Sequence, residues 1–324
     1  MPELPDITVY VERLEDILRG RDLVRIRLAS PFLLRSVQPS LESFYGRKVT
    51  QVLRRGKRIV FVFAGGGRLA LHLMVAGRLH WKASVAGATA PVTIPKSNGL
   101  MAMDFAHGSL LLTESGTKKR AALLAFADDA SLQEKFPVGV EPLEATPAAF
   151  AMALRSENHT LKRSLTDPRL FSGIGNSYSD EILHRARLSP VTLTAKLTDA
   201  EIETLRAAVI GVLTEWTGML RAESQGKFPE KVTAFRAGMA VHGKYGKPCP
   251  VCGSPVQRIK HAENETNYCP TCQTGGKLLA DRALSALLRK DWPRTLEDME
   301  KLLAKHKALT APHGDHGATA SKPK

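Results

Sequence analysis

The spacing of apolar residues changes once in the first third of the chain, near residue 20. Apolar residues recur at helical spacing from Ile7 to Leu18. Asp6 precedes this run and Gly20 follows it, which predicts a helix with Asp6 as its N-cap. From about residue 22 to 128 the apolar runs are short and separated by glycine clusters, and the clearest predict strands at 25–28, 59–63, 69–73 and 110–113. Several short strands without helices between them favour an antiparallel sandwich or barrel.

The second half of the chain has the pattern of a helical domain. Residues 136–147 are rich in proline and predict an interdomain linker. Beyond them, apolar residues return to helical spacing, and Gly173–Asn176 interrupts the series. The predicted helices cover about 148–156, 158–166, 177–187, 198–222, 278–289 and 294–308. The last fifteen residues are rich in Ala, His, Lys and Gly and predict a disordered basic tail.

All four cysteines lie in one short stretch. Cys249 and Cys252 form one C-x2-C pair, and sixteen residues separate it from the pair Cys269 and Cys272. This spacing fits one tetrahedral zinc ion, and four thiolates leave no open position, so the metal is expected to be structural. Two disulfides would suit a small secreted domain, but no apolar signal segment begins the chain. A redox pair would need a thioredoxin-like βαβ pattern, which is not visible.

The charge of the chain favours a polyanionic partner. Lys and Arg number 46 against 32 Asp and Glu in 324 residues, a formal net charge of +14. Together with a zinc module, this excess favours nucleic acid over general solubility as its explanation. No run of eighteen apolar residues occurs, so we expect no membrane span. Reduced cysteines indicate an intracellular compartment.

The amino terminus carries a candidate nucleophile. The chain begins Met1-Pro2-Glu3, and removal of Met1 would leave a secondary amine on Pro2. Such an amine can attack C1′ of a deoxyribose and form an iminium ion. Glu3 would then lie beside it as a proton donor or acceptor. The alternative is an exposed chain start without a function.

Three other segments carry candidate ligand-binding groups. Arg54–Arg58 is a predicted β-turn that can direct the Lys57 ammonium at a phosphate or leaving group, unless it is only a solvated basic turn. His72–Arg78 ends a predicted strand with a Gly-Arg turn. In residues 165–182, Gly173 and Gly175 allow the backbone to approach a ligand closely. The alternative is a glycine turn that serves only packing. Asn176 opens the next helix, whose free N–H groups favour phosphate.

Together these segments resemble the formamidopyrimidine-DNA glycosylase / endonuclease VIII family of DNA repair enzymes. The match runs from Met1 to about Gln273. Its ordered landmarks are Pro2–Pro5, Gly56–Arg58, His72-Leu73 with Gly77-Arg78, Glu141–Leu143, Gly173–Asn176 with Tyr178 and Asp180-Glu181, and the four cysteines.

The resemblance implies an α+β fold of two domains with DNA in the cleft between them. An antiparallel β-sandwich with an N-terminal helix would come first, followed by a helix–two-turn–helix domain with a four-cysteine zinc finger. We expect a catalytic sandwich domain at 1–135, a linker at 136–147, the helix–two-turn–helix domain at 148–234, the finger at 235–275, a helical extension at 276–309 and the basic tail at 310–324.

The resemblance also implies the chemistry. Pro2 would displace a damaged base and form a Schiff base, Glu3 would protonate the sugar, and Lys57 would assist base release or the following β/δ-elimination of the abasic strand. Damaged double-stranded DNA would be the partner of a monomeric, cytoplasmic, nucleoid-associated bacterial protein with no organic cofactor. The residues expected to contact DNA are His72, Lys162, Asn176, Lys118, Lys119 and Arg120. The alternatives are a lesion- or abasic-site-binding protein with reduced or absent base excision and, on the charge and finger alone, a zinc-containing transcription factor.

The chain departs from the family pattern at several positions. Asp6 stands where the family usually has Glu, a change that keeps an acidic helix cap. Val75 occupies the usual position of a void-filling Met, and Met74 comes one residue earlier. In the finger, Asn264 replaces a usual Arg.

Two longer segments also differ from the family. The run 113–120 is basic but lacks the family's aromatic wedge, and Ser224–Lys231 is short where enzymes for oxidised purines carry a longer base-reading loop. Residues 274–324 extend beyond the usual end of the family.

Overall fold

The computed structural model describes residues 1–84, 92–230, 232, 236–261, 264–280 and 292–310. Its α-helices are α1 Leu4–Leu18, α2 Asp129–Lys135, α3 Pro147–Arg155, α4 Leu161–Thr166, α5 Asn176–Arg185, α6 Asp199–Ser224, α7 Pro270–Thr274 and α8 Leu296–Thr310. Its strands are β1 Leu23–Leu28, β2 Val49–Arg55, β3 Arg58–Phe63, β4 Arg68–His72, β5 Gly77–Ala83, β6 Gly99–Phe105, β7 Gly108–Glu114, β8 Ala122–Phe126, β9 Gln257–His261 and β10 Asn264–Tyr268.

The first eight strands form two four-stranded antiparallel sheets, ordered β1-β6-β7-β5 and β2-β3-β4-β8. Apolar residues of both sheets belong to one buried cluster, so the sheets pack as a sandwich. The four strands predicted from sequence correspond to β1, β3, β4 and β7, and only the strand predicted at 69–73 runs one residue past the end of β4. The sandwich expectation is therefore confirmed.

Helix α1 begins three residues earlier than the sequence predicts. Glu3, not Asp6, is the N-cap, and the Glu3 N–H donates to the Asp6 carboxylate at 3.0 Å. Pro5 fits the first turn because an N–H there has no intrahelical partner. The earlier start lets Leu4 join the core of the helical domain while Ile7, Tyr10 and Leu14 pack in the sandwich core.

The helical domain follows the predicted series with small shifts at the ends. Helices α3, α5 and α6 lie within two residues of the predicted bounds. Helix α4 begins at Leu161, later than predicted, because Thr160 pairs with Leu193 in an extended bridge. Helix α2 was not predicted, since it buries Leu132 alone; the Asp128 side chain caps it by accepting from the Ser131 N–H at 2.8 Å.

The chain after the helical domain forms the β9–β10 hairpin and two further helices. The helix predicted at 278–289 is wrong over 278–280, where the Leu278 N–H donates to the Arg294 carbonyl at 2.8 Å; its remainder lies outside the described residues. The helix predicted at 294–308 is confirmed as α8, and all but the first residue of the predicted tail falls beyond the described part. Every helix that the structure describes is too short or too polar to span a bilayer.

Candidate functional site

The Glu3 carboxylate lies at the N-terminus of α5. It accepts hydrogen bonds from the backbone N–H groups of Gly175 at 2.7 Å, Ser177 at 2.8 Å and Tyr178 at 3.3 Å. Glu3 is 1% exposed, and these amides with the helix dipole supply the polar partners that a buried carboxylate needs. The sequence assigned these N–H groups to a phosphate. That expectation is wrong for Ser177 and Tyr178, whose N–H groups are occupied by the chain's own carboxylate.

The two glycines before α5 permit this contact. A Cβ on Gly175 would lie 2.5 Å from Glu3 Cδ and 2.8 Å from Lys57 Nζ, so no larger residue fits without displacing them. Gly173 has φ +80°, and its carbonyl accepts from the Leu4 N–H at 2.9 Å. The two glycines thus permit a close approach of the backbone, as the sequence predicted, and the group that approaches is the start of the chain.

Lys57 lies in the two-residue turn between β2 and β3, where Arg55 pairs with Arg58. Burial lowers the pKa of the Lys57 ammonium, the charges of Lys162 and Arg58 act in the same direction, and Glu3 opposes them. The position of its Nζ beside Gly175 brings it next to the Glu3 carboxylate. The basic turn predicted from sequence therefore places a half-buried amine beside the buried Glu3 carboxylate.

The terminal amino group belongs to the same cluster. Burial lowers the pKa of the Met1 amine, Glu3 and Asp6 raise it, and Arg78 and Lys57 lower it further. Pro2, the next residue, is buried. An amine with a lowered pKa is more often unprotonated near neutral pH, which is the state that can act as a nucleophile.

Arg54 braces this site, a role that the sequence did not suggest. Its guanidinium pairs with the Glu141 carboxylate in the linker and lies 3.4 Å from the Ser172 hydroxyl beside the glycine turn. It also donates to the Gly56 carbonyl at 3.1 Å. One side chain thus connects the sandwich, the linker and the helical domain. Its only sequence signal was its place beside Gly56-Lys57.

His72 ends β4 as a neutral side chain. Its Nδ1 accepts from the Met74 N–H at 2.9 Å, so Nε2 carries the proton. Burial, followed by the charges of Arg58 and Lys57, lowers the pKa of His72 to about 4. Beyond it Met74 has φ +51°, and Val75 is 56% exposed at the tip of the loop.

The basic loop Lys118–Arg120 lies beside the His72 loop. The strand after it begins at Ala122, which pairs with His72, and the strand before it ends at Glu114, which pairs with Gly77. The buried Glu114 carboxylate accepts from the Arg120 N–H at 2.9 Å, and the Lys119 ammonium donates to the Glu114 carbonyl. Lys118 is exposed. The β2–β3 turn lies at the same place, because Arg58 pairs with His72. The β2–β3 turn, the His72 loop and the Lys118–Arg120 loop therefore meet at one end of the sandwich.

Lys162 and Asn176 are engaged within the protein. The Lys162 ammonium donates to the Asn176 carbonyl at 2.6 Å and to the buried Asp180 carboxylate at 2.5 Å. The Asn176 side-chain amide donates to the Glu265 carbonyl on β10 at 3.0 Å. These contacts connect α4, the start of α5 and the hairpin of the cysteine module.

The four cysteines come together as a metal site. The sulfur atoms of Cys249, Cys252, Cys269 and Cys272 all lie within 4.8 Å of one another. Thiolates bound to one tetrahedral zinc are spaced roughly 3.8 Å apart, given zinc–sulfur bonds of about 2.3 Å, so the donor set fits. His184 Nε2 lies 3.2 Å from Cys249 Sγ, a contact that can orient this ligand.

Helix α5 holds the cysteine module with a second acidic side chain. The Glu181 carboxylate accepts from the N–H groups of Ala240 at 2.7 Å and of Val241 and His242 at 2.9 Å each. Asp180 lies 2.8 Å from His242 Nδ1. The helix that binds Glu3 at its first turn thus binds the metal module along its length. Sequence reasoning marked Asp180 and Glu181 as landmarks but gave them no partner.

Three family models match this chain, in order along the sequence. The formamidopyrimidine-DNA glycosylase N-terminal domain matches residues 1–122, the H2TH domain of the same enzymes matches 138–224, and the zinc finger found in FPG and IleRS matches 246–275. The clustered cysteines accordingly hold one structural zinc ion.

Individual relatives agree with the family models. Formamidopyrimidine-DNA glycosylase of Thermus thermophilus is 32% identical over 290 residues, covering 85% of this chain and 100% of the relative. An uncharacterised formamidopyrimidine-DNA glycosylase-like protein of Mycobacterium tuberculosis is 41% identical over 152 residues, covering 47% of this chain and 94% of the relative.

Solved structures give the same result. The Lactococcus lactis enzyme bound to DNA containing an oxidised pyrimidine superposes with a TM-score of 0.72 at 26% identity, covering 84% of this chain and 100% of that one. Its complex with Fapy-dG DNA gives the same values. The three domains in order and the full coverage of relatives show that this chain belongs to the formamidopyrimidine-DNA glycosylase family of DNA repair enzymes.

Proposed function

We propose that this DNA glycosylase removes damaged bases with Pro2 as nucleophile and then cleaves the abasic strand. The observation that carries the proposal is the burial of Glu3 beside Pro2, with its carboxylate fixed by three amides of α5 and the Lys57 amine next to it. A carboxylate and an amine of lowered pKa beside an amino terminus are the groups that Schiff-base chemistry on a sugar requires.

In the proposed reaction, removal of Met1 makes the Pro2 nitrogen the terminal amine. The unprotonated amine attacks C1′ of the lesion nucleotide, the glycosidic C1′–N bond breaks, and the departing base takes a proton from Lys57. The Glu3 carboxylate takes the proton from the Pro2 ammonium that this attack leaves and delivers it to the ring oxygen, so that the sugar opens and an iminium ion forms between Pro2 and C1′. Loss of a proton from C2′ then expels the 3′ phosphate, and a second elimination expels the 5′ phosphate.

We propose that the three loops at the end of the sandwich face the DNA, with Lys118, Lys119 and Arg120 near the phosphates. His72 would donate from Nε2 as a neutral group, because its pKa of about 4 rules out a cation at neutral pH. Val75, exposed at its loop tip, would enter the space left by the extruded base.

On the other side of the cleft, Asn176 and Lys162 would approach a lesion phosphate. Both side chains also connect α4, α5 and the β9–β10 hairpin through hydrogen bonds. We therefore propose that they position these elements as well as bind the phosphate. The enzyme would act as a monomer on the nucleoid DNA of a bacterial cytoplasm.

The structural relatives were solved with oxidised-pyrimidine, Fapy-dG and abasic-site DNA, and this range supports base excision over lesion binding alone. The test is a panel of duplexes carrying an oxidised purine, an oxidised pyrimidine or an abasic site, incubated with Met1-free protein. The proposal predicts strand cleavage of the abasic duplex and of at least one lesion duplex. Cleavage of the abasic duplex alone would favour a protein without base excision, and no cleavage of any duplex would reject the proposal.

A further inference from the structure

Arg58, the first residue of β3, is a half-buried cation without an anionic partner in the described part of the chain. Its guanidinium carbon lies 3.7 Å from the centre of the Phe136 ring. The Nε is closed off from solvent, whereas the two terminal nitrogens are open to it, and none of the three donates to an acceptor among the described residues. Arg58 therefore presents its charge and two unused donor groups at the surface.

Phe136 holds this guanidinium in one place. The Phe136 carbonyl accepts from Arg55 Nε at 3.1 Å, and its ring packs edge-to-face on Phe126 with the ring centres 5.8 Å apart. A guanidinium that is already stacked on a fixed ring loses less conformational freedom when it binds a ligand than a free surface arginine does. The stacking therefore favours a binding group over a solvated charge.

Arg58 lies beside His72. The two residues are directly opposite each other in β3 and β4, so their side chains share one face of the sheet, with Cβ atoms about 4.5–5.5 Å apart. After burial, the charge of Arg58 lowers the pKa of His72 more than the charge of Lys57 does. A neutral His72 can donate a hydrogen bond to a phosphate but brings no charge to it. Arg58 brings a cation to the same place.

The surroundings of Arg58 are cationic. Burial and the charge of Arg55 lower the pKa of Arg58, and Lys57 is its neighbour in the turn. A cation that is partly removed from water among other cations is unfavourable unless an anion joins it. The planar fork of a guanidinium matches the oxygens of a phosphodiester. The alternative is an arginine that only packs on Phe136, and its removal would leave DNA binding unchanged.

We propose that Arg58 binds a phosphodiester of the damaged strand beside His72, with the terminal nitrogens of its guanidinium as donors. The inference rests on the function proposed above. His72 orients this part of the strand through its single N–H, and Arg58 supplies the charge that neutral His72 lacks. A phosphate contact carries no sequence information, so Arg58 controls the affinity for DNA and its salt dependence and not the choice of base.

The test compares Arg58→Met with Arg47→Met. Arg47 is a matched control because its guanidinium also lies over a phenylalanine ring, 5.9 Å from the centre of Phe44. It precedes β2 at the end of the sheet away from the β2–β3 turn, roughly 25 Å from Arg58. Each substitution removes one positive charge and one contact between an arginine and an aromatic ring. Fluorescence anisotropy measures binding to a duplex with a tetrahydrofuran abasic analogue, which cannot form a Schiff base and is not cleaved.

We expect Arg58→Met to weaken binding about tenfold and to reduce the magnitude of the slope of log affinity against log salt concentration by about 1. Arg47→Met should keep the wild-type affinity and slope. In a second series, the phosphates that flank the analogue are replaced one at a time by neutral methylphosphonate. At one position, we expect the wild type to lose affinity about tenfold and Arg58→Met to lose nothing further.

An equal loss of affinity in Arg58→Met and Arg47→Met would show an effect of net charge and contradict the inference. The same response of wild type and Arg58→Met at every methylphosphonate position would also contradict it. Should Arg58→Met not fold, Arg58→Gln serves the same comparison with an uncharged polar side chain. Cleavage of an ordinary abasic duplex by the wild type is measured in parallel. Absence of this cleavage would reject the proposed function, whereas wild-type binding by Arg58→Met would reject this inference alone.

Discussion

The Glu3 carboxylate accepts a hydrogen bond of 2.7 Å from the backbone N–H of Gly175, a residue 172 positions further along the chain. The contact joins the start of the sandwich domain to the first turn of α5 in the helical domain. It also fixes the orientation of the carboxylate that the proposed reaction uses. Displacing this carboxylate should therefore impair catalysis more than it impairs folding.

Gly175→Ala tests the contact directly. The new Cβ would meet Glu3 Cδ at 2.5 Å and Lys57 Nζ at 2.8 Å, so both groups must move. We expect abasic-site cleavage to fall about a hundredfold, since displacements of about 1 Å in an active site can cost that much.

Gly218→Ala in α6 is the control, because its Cβ would have no heavy atom of the described residues within 4 Å. It should retain activity and stabilise the helix by about 0.5–1 kcal/mol. Equal activities of the two variants would show that the position of the Glu3 carboxylate does not control abasic-site cleavage.

Lys57 should set the alkaline limit of base release. Burial lowers its pKa from the ordinary lysine value of 10.5. If the protonated amine donates to the departing base, the rate falls as pH rises through this lowered pKa. Single-turnover rates between pH 6 and 10 should show this decline in the wild type and a flat, low profile in Lys57→Met. Lys48→Met, which removes an exposed lysine paired with Asp22, should keep the wild-type profile. An unchanged alkaline limb in Lys57→Met would assign the proton to another group.

His72 should make the protein less stable in mild acid. Its pKa is about 4 in the folded protein and near 6.5 when unfolded, so the unfolded chain binds the proton more tightly. The contribution of neutral His72 to stability is fully present above pH 6.5 and is lost as pH falls from 6.5 towards 4. Urea unfolding at pH 7.5 and 5.0 should show about 1–2 kcal/mol more loss in the wild type than in His72→Asn, which retains an acceptor for the Met74 N–H. The same loss in both proteins would contradict the neutral assignment.

Zinc should be required for DNA affinity. The apolar cluster of the finger is small and includes two of the metal ligands, so its hairpin depends on the ion. Cys269→Ser should lose zinc and weaken binding to an abasic-site duplex together, as measured by metal analysis and fluorescence anisotropy. Val251→Ala shortens an exposed side chain in the same module and should change neither. Wild-type DNA affinity in zinc-free Cys269→Ser would show that the finger does not contribute to DNA binding.

The sequence predicted features whose cause is local. The β2–β3 turn at Gly56-Lys57, the helices of the second domain and the cysteine site all follow from short-range pattern and spacing. The N-cap of α1 was misassigned because Asp6 and Glu3 are both acidic, and only their geometry shows which one begins the helix. The partners of the α5 amides could not be predicted, because Glu3 is brought to them by tertiary packing.

The ion pairs between residues far apart in the chain could not be predicted from the sequence either. Arg54 reaches Glu141, and Arg236 reaches Asp6 across 230 positions, and neither pair has a spacing that local rules recognise.

The central claim is that the Pro2 nitrogen forms a covalent intermediate with the sugar. Met1-free protein is mixed with abasic-site DNA and borohydride, and the trapped peptide is located by mass spectrometry. The account predicts a stable adduct on Pro2 in the wild type and a large loss of adduct in Pro2→Gly. No adduct in the wild type, or an equal yield from Pro2→Gly, would contradict it.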